Sequence, residues 1–191
     1  MSDINHLVRL YRGEEEFLRY SSFELSSPKY LLETAKSLLN TIPPFLGGCA
    51  LLSAVWADEL KTKFNIPAIV VAGHLSILGK RLFECKSNIP TPNAENQFSD
   101  QSWDGHCWIE IDGFIGDLSI FRTAYNLNFP NIFTEYIKTN FGLGRGALIT
   151  PYNEIPCGIE YEAKYILTDN QIHGLAGGLW NLVASGKLFM P

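Results

Sequence analysis

The sequence predicts an α+β domain, helical at both ends with an antiparallel sheet between, and three observations carry that expectation. Apolar residues recur at helical spacing through most of the first 64 positions. The run Ile66-Pro67-Ala68-Ile69-Val70-Val71-Ala72 then breaks that period and reads as a strand buried on both faces. Further on, Asp112-Gly113 separates two strand-like runs, a strong hairpin signal because both turn positions take positive φ.

Taken in order, residues 3–20 and 28–41 read as helices. In the second, Ser27 caps, Pro28 fits the first turn, and Leu31, Leu32, Ala35, Leu38 and Leu39 form an apolar stripe. Pro43-Pro44 ends it, and Gly47-Gly48 makes a turn into a third helix, 50–64, whose stripe is Leu51, Leu52, Val55, Trp56, Leu60 and Phe64. After the apolar strand, His74–Phe83 is expected as its partner strand. Residues 86–105, rich in Ser, Asn, Pro and Gln, read as a long surface loop and a candidate lid. Strands are expected at 106–111 and 114–119. A helix over 121–141, broken near Pro130, follows, then strands at 147–151 and 159–167. A last helix, capped by Thr168 or Asp169, runs to about Ser185. All 191 residues fit one domain, with 1–44 as a helical extension.

Composition narrows the function. With 46% apolar and 18% charged residues the chain is globular. A net charge of -5 and no basic run argue against nucleic acid, whose phosphates need clustered Lys and Arg. The partner expected instead is a peptide, protein or small amide substrate, with no membrane partner; nothing in the sequence sets an oligomeric state. The first residues lack an apolar segment behind a basic start, so a cytoplasmic location with reduced thiols is expected. Cys49, Cys85, Cys107 and Cys157 lie far apart without metal-ligand spacing, so no metal and no cofactor are expected.

One constellation carries chemistry. Cys49 opens the third helix, where unpaired N–H groups and the partial positive charge favour a thiolate and can hold an oxyanion. Alone, a cysteine there is equally ordinary as a buried small residue. The hairpin adds weight. With Asp112-Gly113 as the turn, His106, Trp108, Asp117 and Ser119 share one face, and Cys107, Ile109, Ile111 and Leu118 the other. His106 can then serve as base and Asp117 as its orienting acceptor, the two partners a nucleophilic thiol needs. Trp108, Trp103 and Gly48 are the candidate substrate-binding positions. Cys107 points away from the triad face, and His74 reads as a structural residue at a strand end.

Three blocks resemble the transglutaminase-like branch of the papain-like cysteine enzymes. They are Gly48-Cys49 at a helix start, Asn65-Ile66-Pro67-Ala68-Ile69-Val70-Val71-Ala72-Gly73, and His106-Cys107-Trp108-Ile109-Glu110-Ile111 followed by Asp117. The likeness covers about residues 49–119. Ile69 stands where the family often has arginine, and the segment from Gly73 to His106 is long. The resemblance implies a Cys–His–Asp triad and a nucleophile helix packed on an antiparallel sheet. It also implies a hydrolase or acyltransferase working on amide or ester carbonyls, or a catalytically silent descendant that binds peptides.

Overall fold

A computed structural model describes residues 4–90, 103–126 and 131–189. It has six helices and six strands arranged as helices against one antiparallel sheet, as the α+β expectation requires. The helices are α1 (Ile4–Ser21), α2 (Lys29–Thr41), α3 (Cys49–Phe64), α4 (Ile120–Asn126), α5 (Ile132–Phe141) and α6 (Asp169–Ala184). The strands are β1 (Ile69–Ile77), β2 (Lys80–Phe83), β3 (His106–Ile111), β4 (Phe114–Asp117), β5 (Leu148–Pro151) and β6 (Ile159–Ile166). Among the described residues no helix is long and apolar enough to cross a membrane.

β1 is the spine of the sheet. One edge pairs with β6; the other pairs with β3 along Ile69–Gly73 and with β2 along Leu75–Ile77. β4 and β5 extend the sheet beyond β3, and all of these pairings are antiparallel. All nine residues of β1 are buried, which is why it reads as an unbroken apolar run instead of an alternating one. The strand is longer than its apolar run suggests. It continues through Gly73 and His74 to Ile77, and the reversal falls at Leu78-Gly79, both at positive φ (51° and 73°). The expected partner strand 74–83 is therefore the end of β1 plus β2. Leucine is a poor advertisement for a left-handed position, so that turn has no clear sequence signal.

The Asp112-Gly113 hairpin forms as its sequence dictates. Both residues have positive φ, and Ile111 pairs with Phe114, Glu110 with Ile115 and Ile109 with Gly116. α3 lies on the face that carries Ile109 and Gly116. The Trp56 ring fills the space beside Gly116, and its Nε1 donates to Thr34 Oγ1 of α2 at 2.8 Å, fastening α2 behind α3. α6 packs along α3 and begins with a complete capping box formed by Thr168 and Gln171. α1 packs against β6 and is broken at Gly13, whose φ of 82° and ψ of 173° are not helical. α2 starts one residue later than expected, with Ser27 Oγ accepting from the Lys29 N–H at 3.2 Å. The break expected near Pro130 and most of the candidate lid lie outside the described residues.

Close approach makes Gly116 a sensitive position: a Cβ there would sit 2.5 and 2.6 Å from two Trp56 ring carbons. Gly116→Ala is expected to lower stability by about 1–3 kcal/mol through overpacking, seen as a lower denaturant midpoint at unchanged slope.

Candidate active site

Cys49 is the first residue of α3. The preceding Gly48 is buried, and the Phe45 ring occupies the space a side chain at 48 would need. Gly48 thus serves to seat the turn tightly against Phe45. No side chain caps the helix start. The first N–H groups of α3 therefore stay available beside the sulfur.

His106 begins β3 and is 1% exposed, while Asp117 ends β4 and is 0% exposed. The two-residue turn puts them on one face, and His106 Nε2 meets Asp117 Oδ2 at 2.6 Å. Asp117 is saturated with donors. Its Oδ2 also accepts from Tyr161 OH at 2.9 Å, and its Oδ1 accepts from Ser119 N (2.8 Å), Ser119 Oγ (2.9 Å) and Ile120 N (3.0 Å). Burial alone would push the carboxyl up, but the His106 charge and these bonds hold it below its ordinary range. Burial likewise works against an imidazolium, yet Asp117 and then Cys49 outweigh it and raise His106 to about 10.

With Nε2 committed to Asp117, the other ring nitrogen, Nδ1, is buried and has no hydrogen-bond partner among the described residues. The Cys49 sulfur is the group that can supply one. As a neutral thiol it points to the Gly105 carbonyl at a long 3.9 Å. Once ionised it can no longer donate there and becomes an acceptor, which is what Nδ1 lacks. The thiolate is favoured: the adjoining Cys107 thiol and the charge of His106 overcome burial and lower the Cys49 thiol well below its usual range. The two shifts run in the directions that favour a thiolate beside an imidazolium.

Cys107 lies on the α3 side of β3, as alternation predicts. That side is also where α3 delivers Cys49, so Cys107 is a neighbour of the sulfur and not a bystander. Burial and the Cys49 charge raise its own thiol well above the ordinary value, leaving it a neutral donor. All four cysteines are free.

Of the expected substrate-binding positions, Trp108 is corrected. It is 0% exposed and lies beneath the site, with Nε1 donating to Glu110 Oε1 at 2.8 Å and its ring 5.0 Å from that of Tyr161 and 6.3 Å from that of His106. It packs the histidine from below and cannot line an open groove. Trp103 is half-buried, its ring covers Gly105 next to the Cys49 sulfur, and its Nε1 donates to the Ser87 carbonyl at 2.9 Å. Phe83 stacks on the remaining side of His106 at 5.1 Å. His74 is buried and accepts from the Cys85 N–H at 2.8 Å, the structural role expected for it. Among the described residues no cluster of His, Cys, Asp or Glu is placed to hold a metal ion.

Two contributors have no counterpart in the sequence reading. Tyr161 reaches Asp117 from β6, a strand whose place beside β1 no local pattern reveals. Arg122, 8% exposed on α4, donates to the carbonyls of Leu39 (2.8 Å), Ile42 (2.8 Å) and Pro43 (3.2 Å). It thereby pins the segment that leads into Cys49.

The site predicts one titration. Asp117→Asn removes the charge that holds His106 protonated. The His106 pKa, followed by NMR of the imidazole, is expected to fall from near 10 by at least one unit.

No family model, curated protein or solved structure matches the chain.

Proposed function

We propose that this chain is a cysteine enzyme of papain-like, transglutaminase-like architecture that attacks amide or ester carbonyls through Cys49. The observation that carries the reading is the His106 ring itself, fixed by Asp117 at 2.6 Å on one nitrogen and, among the described residues, unpartnered on the other. A histidine serving only packing has no reason to hold a buried, unsatisfied nitrogen, since such an atom costs about 1–3 kcal/mol. Beside a nucleophile the same nitrogen is a proton shuttle.

In this mechanism the Cys49 thiolate adds to the carbonyl carbon, and the carbonyl π electrons move to oxygen. The N–H groups at the start of α3 face the resulting oxyanion. His106 gives its Nδ1 proton to the leaving nitrogen or oxygen as that bond breaks, leaving a thioester on Cys49. Neutral His106 then takes a proton from water or from an amine, which attacks the thioester and releases the thiolate. Asp117 stays ionised throughout and holds the ring in the tautomer that presents Nδ1 to sulfur. Water as acceptor makes the protein a peptidase, amidase or deamidase; an amine makes it an acyltransferase. The wall formed by Trp103 and Gly105 beside the sulfur suits a peptide or small amide.

The test is selective chemistry at one thiol. At pH 6 an ordinary thiol with pKa ~8.5 is ionised to well under about 1%, so iodoacetamide should label Cys49 ahead of Cys157, the exposed cysteine. His106→Ala should remove that selectivity. With p-nitrophenyl acetate, the wild type should show a burst that matches the enzyme concentration, and Cys49→Ala should show none. Asp117→Asn should slow acylation by about 10²–10⁴-fold. Uniform labelling of accessible thiols, or a burst surviving in Cys49→Ala, would leave the fold as a binding module.

A further inference from the structure

A second concave site lies at the far end of β3 from His106. A cavity of about 410 Å³ opens between α1, the β3–β4 turn, the short 3-10 helix Tyr152–Glu154 and β6. That volume falls within the range of small-molecule sites, about 300–1,000 Å³. Both ends of α1 line it, Ile4 and Tyr20 included. In a straight helix those residues would be about 24 Å apart, so the break at Gly13 is what folds α1 around the cavity. Cys49, His106 and Asp117 do not line it, and the inference is independent of the catalytic reading.

The wall holds an unusual charge. Glu110 is 8% exposed, and its Oε1 accepts from Trp108 Nε1. Among the described residues its Oε2 has no hydrogen-bond partner, and no lysine, arginine or histidine pairs with either oxygen. Burial pushes the acid up to about 7, while the Trp108 bond pulls the other way. The groups that face it are Tyr20 from α1, Asp112 from the turn, Tyr152 from the 3-10 helix and Tyr161 from β6. Burial raises all three phenols, which stay neutral, and among the described residues no cationic side chain lines the space. Asp112 adds a second carboxylate, with its Oδ2 accepting from the Leu25 N–H at 2.7 Å. The third acid, Glu162, is already matched by Arg81 and Lys164.

A buried acid with no counter-charge is held partly protonated, and a bound cation would favour its ionised form. Tyr20, Phe23, Tyr152 and Tyr161 line the same space, and aromatic rings attract a weakly hydrated cation placed over their faces. We propose that this cavity binds a small organic cation, a primary or quaternary ammonium ion, with Glu110 as its counter-ion and the tyrosine rings as its cage.

The full chain is titrated with n-butylammonium and with tetramethylammonium chloride, and with n-butanol as the uncharged counterpart, at constant ionic strength. Backbone amide NMR signals of Glu110, Asp112 and Ala163 report binding. One or both ammonium ions are expected to give saturating shifts, with affinity rising about tenfold from pH 6 to pH 8. That is the change in ionised Glu110 for a pKa near 7. Glu110→Gln is expected to abolish binding at both pH values. Butanol binding as tightly as the ammonium ions overturns the proposal, as does binding of neither ion or undiminished binding to Glu110→Gln. Should that variant not fold, a wild-type affinity independent of pH overturns it equally.

Discussion

The burial of the Asp117 carboxylate is the constraint on which the site depends. A lone carboxylate placed fully inside a protein costs several kcal/mol, and it stays ionised only when that loss is offset. Here five donors converge on it from His106, Tyr161, Ser119 and Ile120. Bonds to a charged acceptor contribute about 1.5–3 kcal/mol each. The donors come from three pieces of the fold: β3, β6, and the bend into α4, which supplies three of them. Satisfying one charge therefore fixes the strand order, the end of β4 and the start of the next helix together.

That arrangement extends to the nucleophile by two routes. Through His106 it reaches the sulfur electrostatically, since a protonated ring held by Asp117 favours the thiolate. Through α4 it reaches the sulfur mechanically. Asp117 accepts from the first N–H of that helix, and Arg122 two residues on clasps three carbonyls at the end of α2, ahead of the Gly47-Gly48 turn. Cys107 completes the set from the α3 side of β3, where burial keeps its own thiol neutral beside the sulfur. The surroundings of Cys49 thus come from both faces of one strand.

The same strand links the triad to the cavity beyond it. His106, Trp108 and Glu110 alternate along one face of β3. The indole stacks near the imidazole at one end and donates to the carboxylate at the other. Gly73 on the neighbouring strand leaves room for that indole, because a Cβ there would sit 2.6 Å from the ring. Trp108 is therefore a rigid spacer, and its complete burial follows from being packed between two polar sites that both need a fixed partner.

Local chemistry in the sequence determined a good deal of this. The Asp-Gly turn set the β3–β4 register, since a two-residue loop with positive φ leaves no freedom to slip, and so His106 and Asp117 share a face. Thr168 and Gln171 marked the start of α6, and the double glycine marked the start of α3. What the sequence could not set were relations between segments far apart in the chain. Leu78-Gly79 turns β1 back because Leu78 N–H bonds to the Gly158 carbonyl, a contact invisible locally. Trp108 looked free to line a groove because alternation gives the face but not what covers it; Tyr161 packs on it. Cys107 looked remote from the thiol because period-two logic separates faces, whereas α3 lies on the very face that Cys107 occupies. Residue type and spacing determined which groups could act together. Helix placement and strand order, which depend on long-range packing, decided which of them meet.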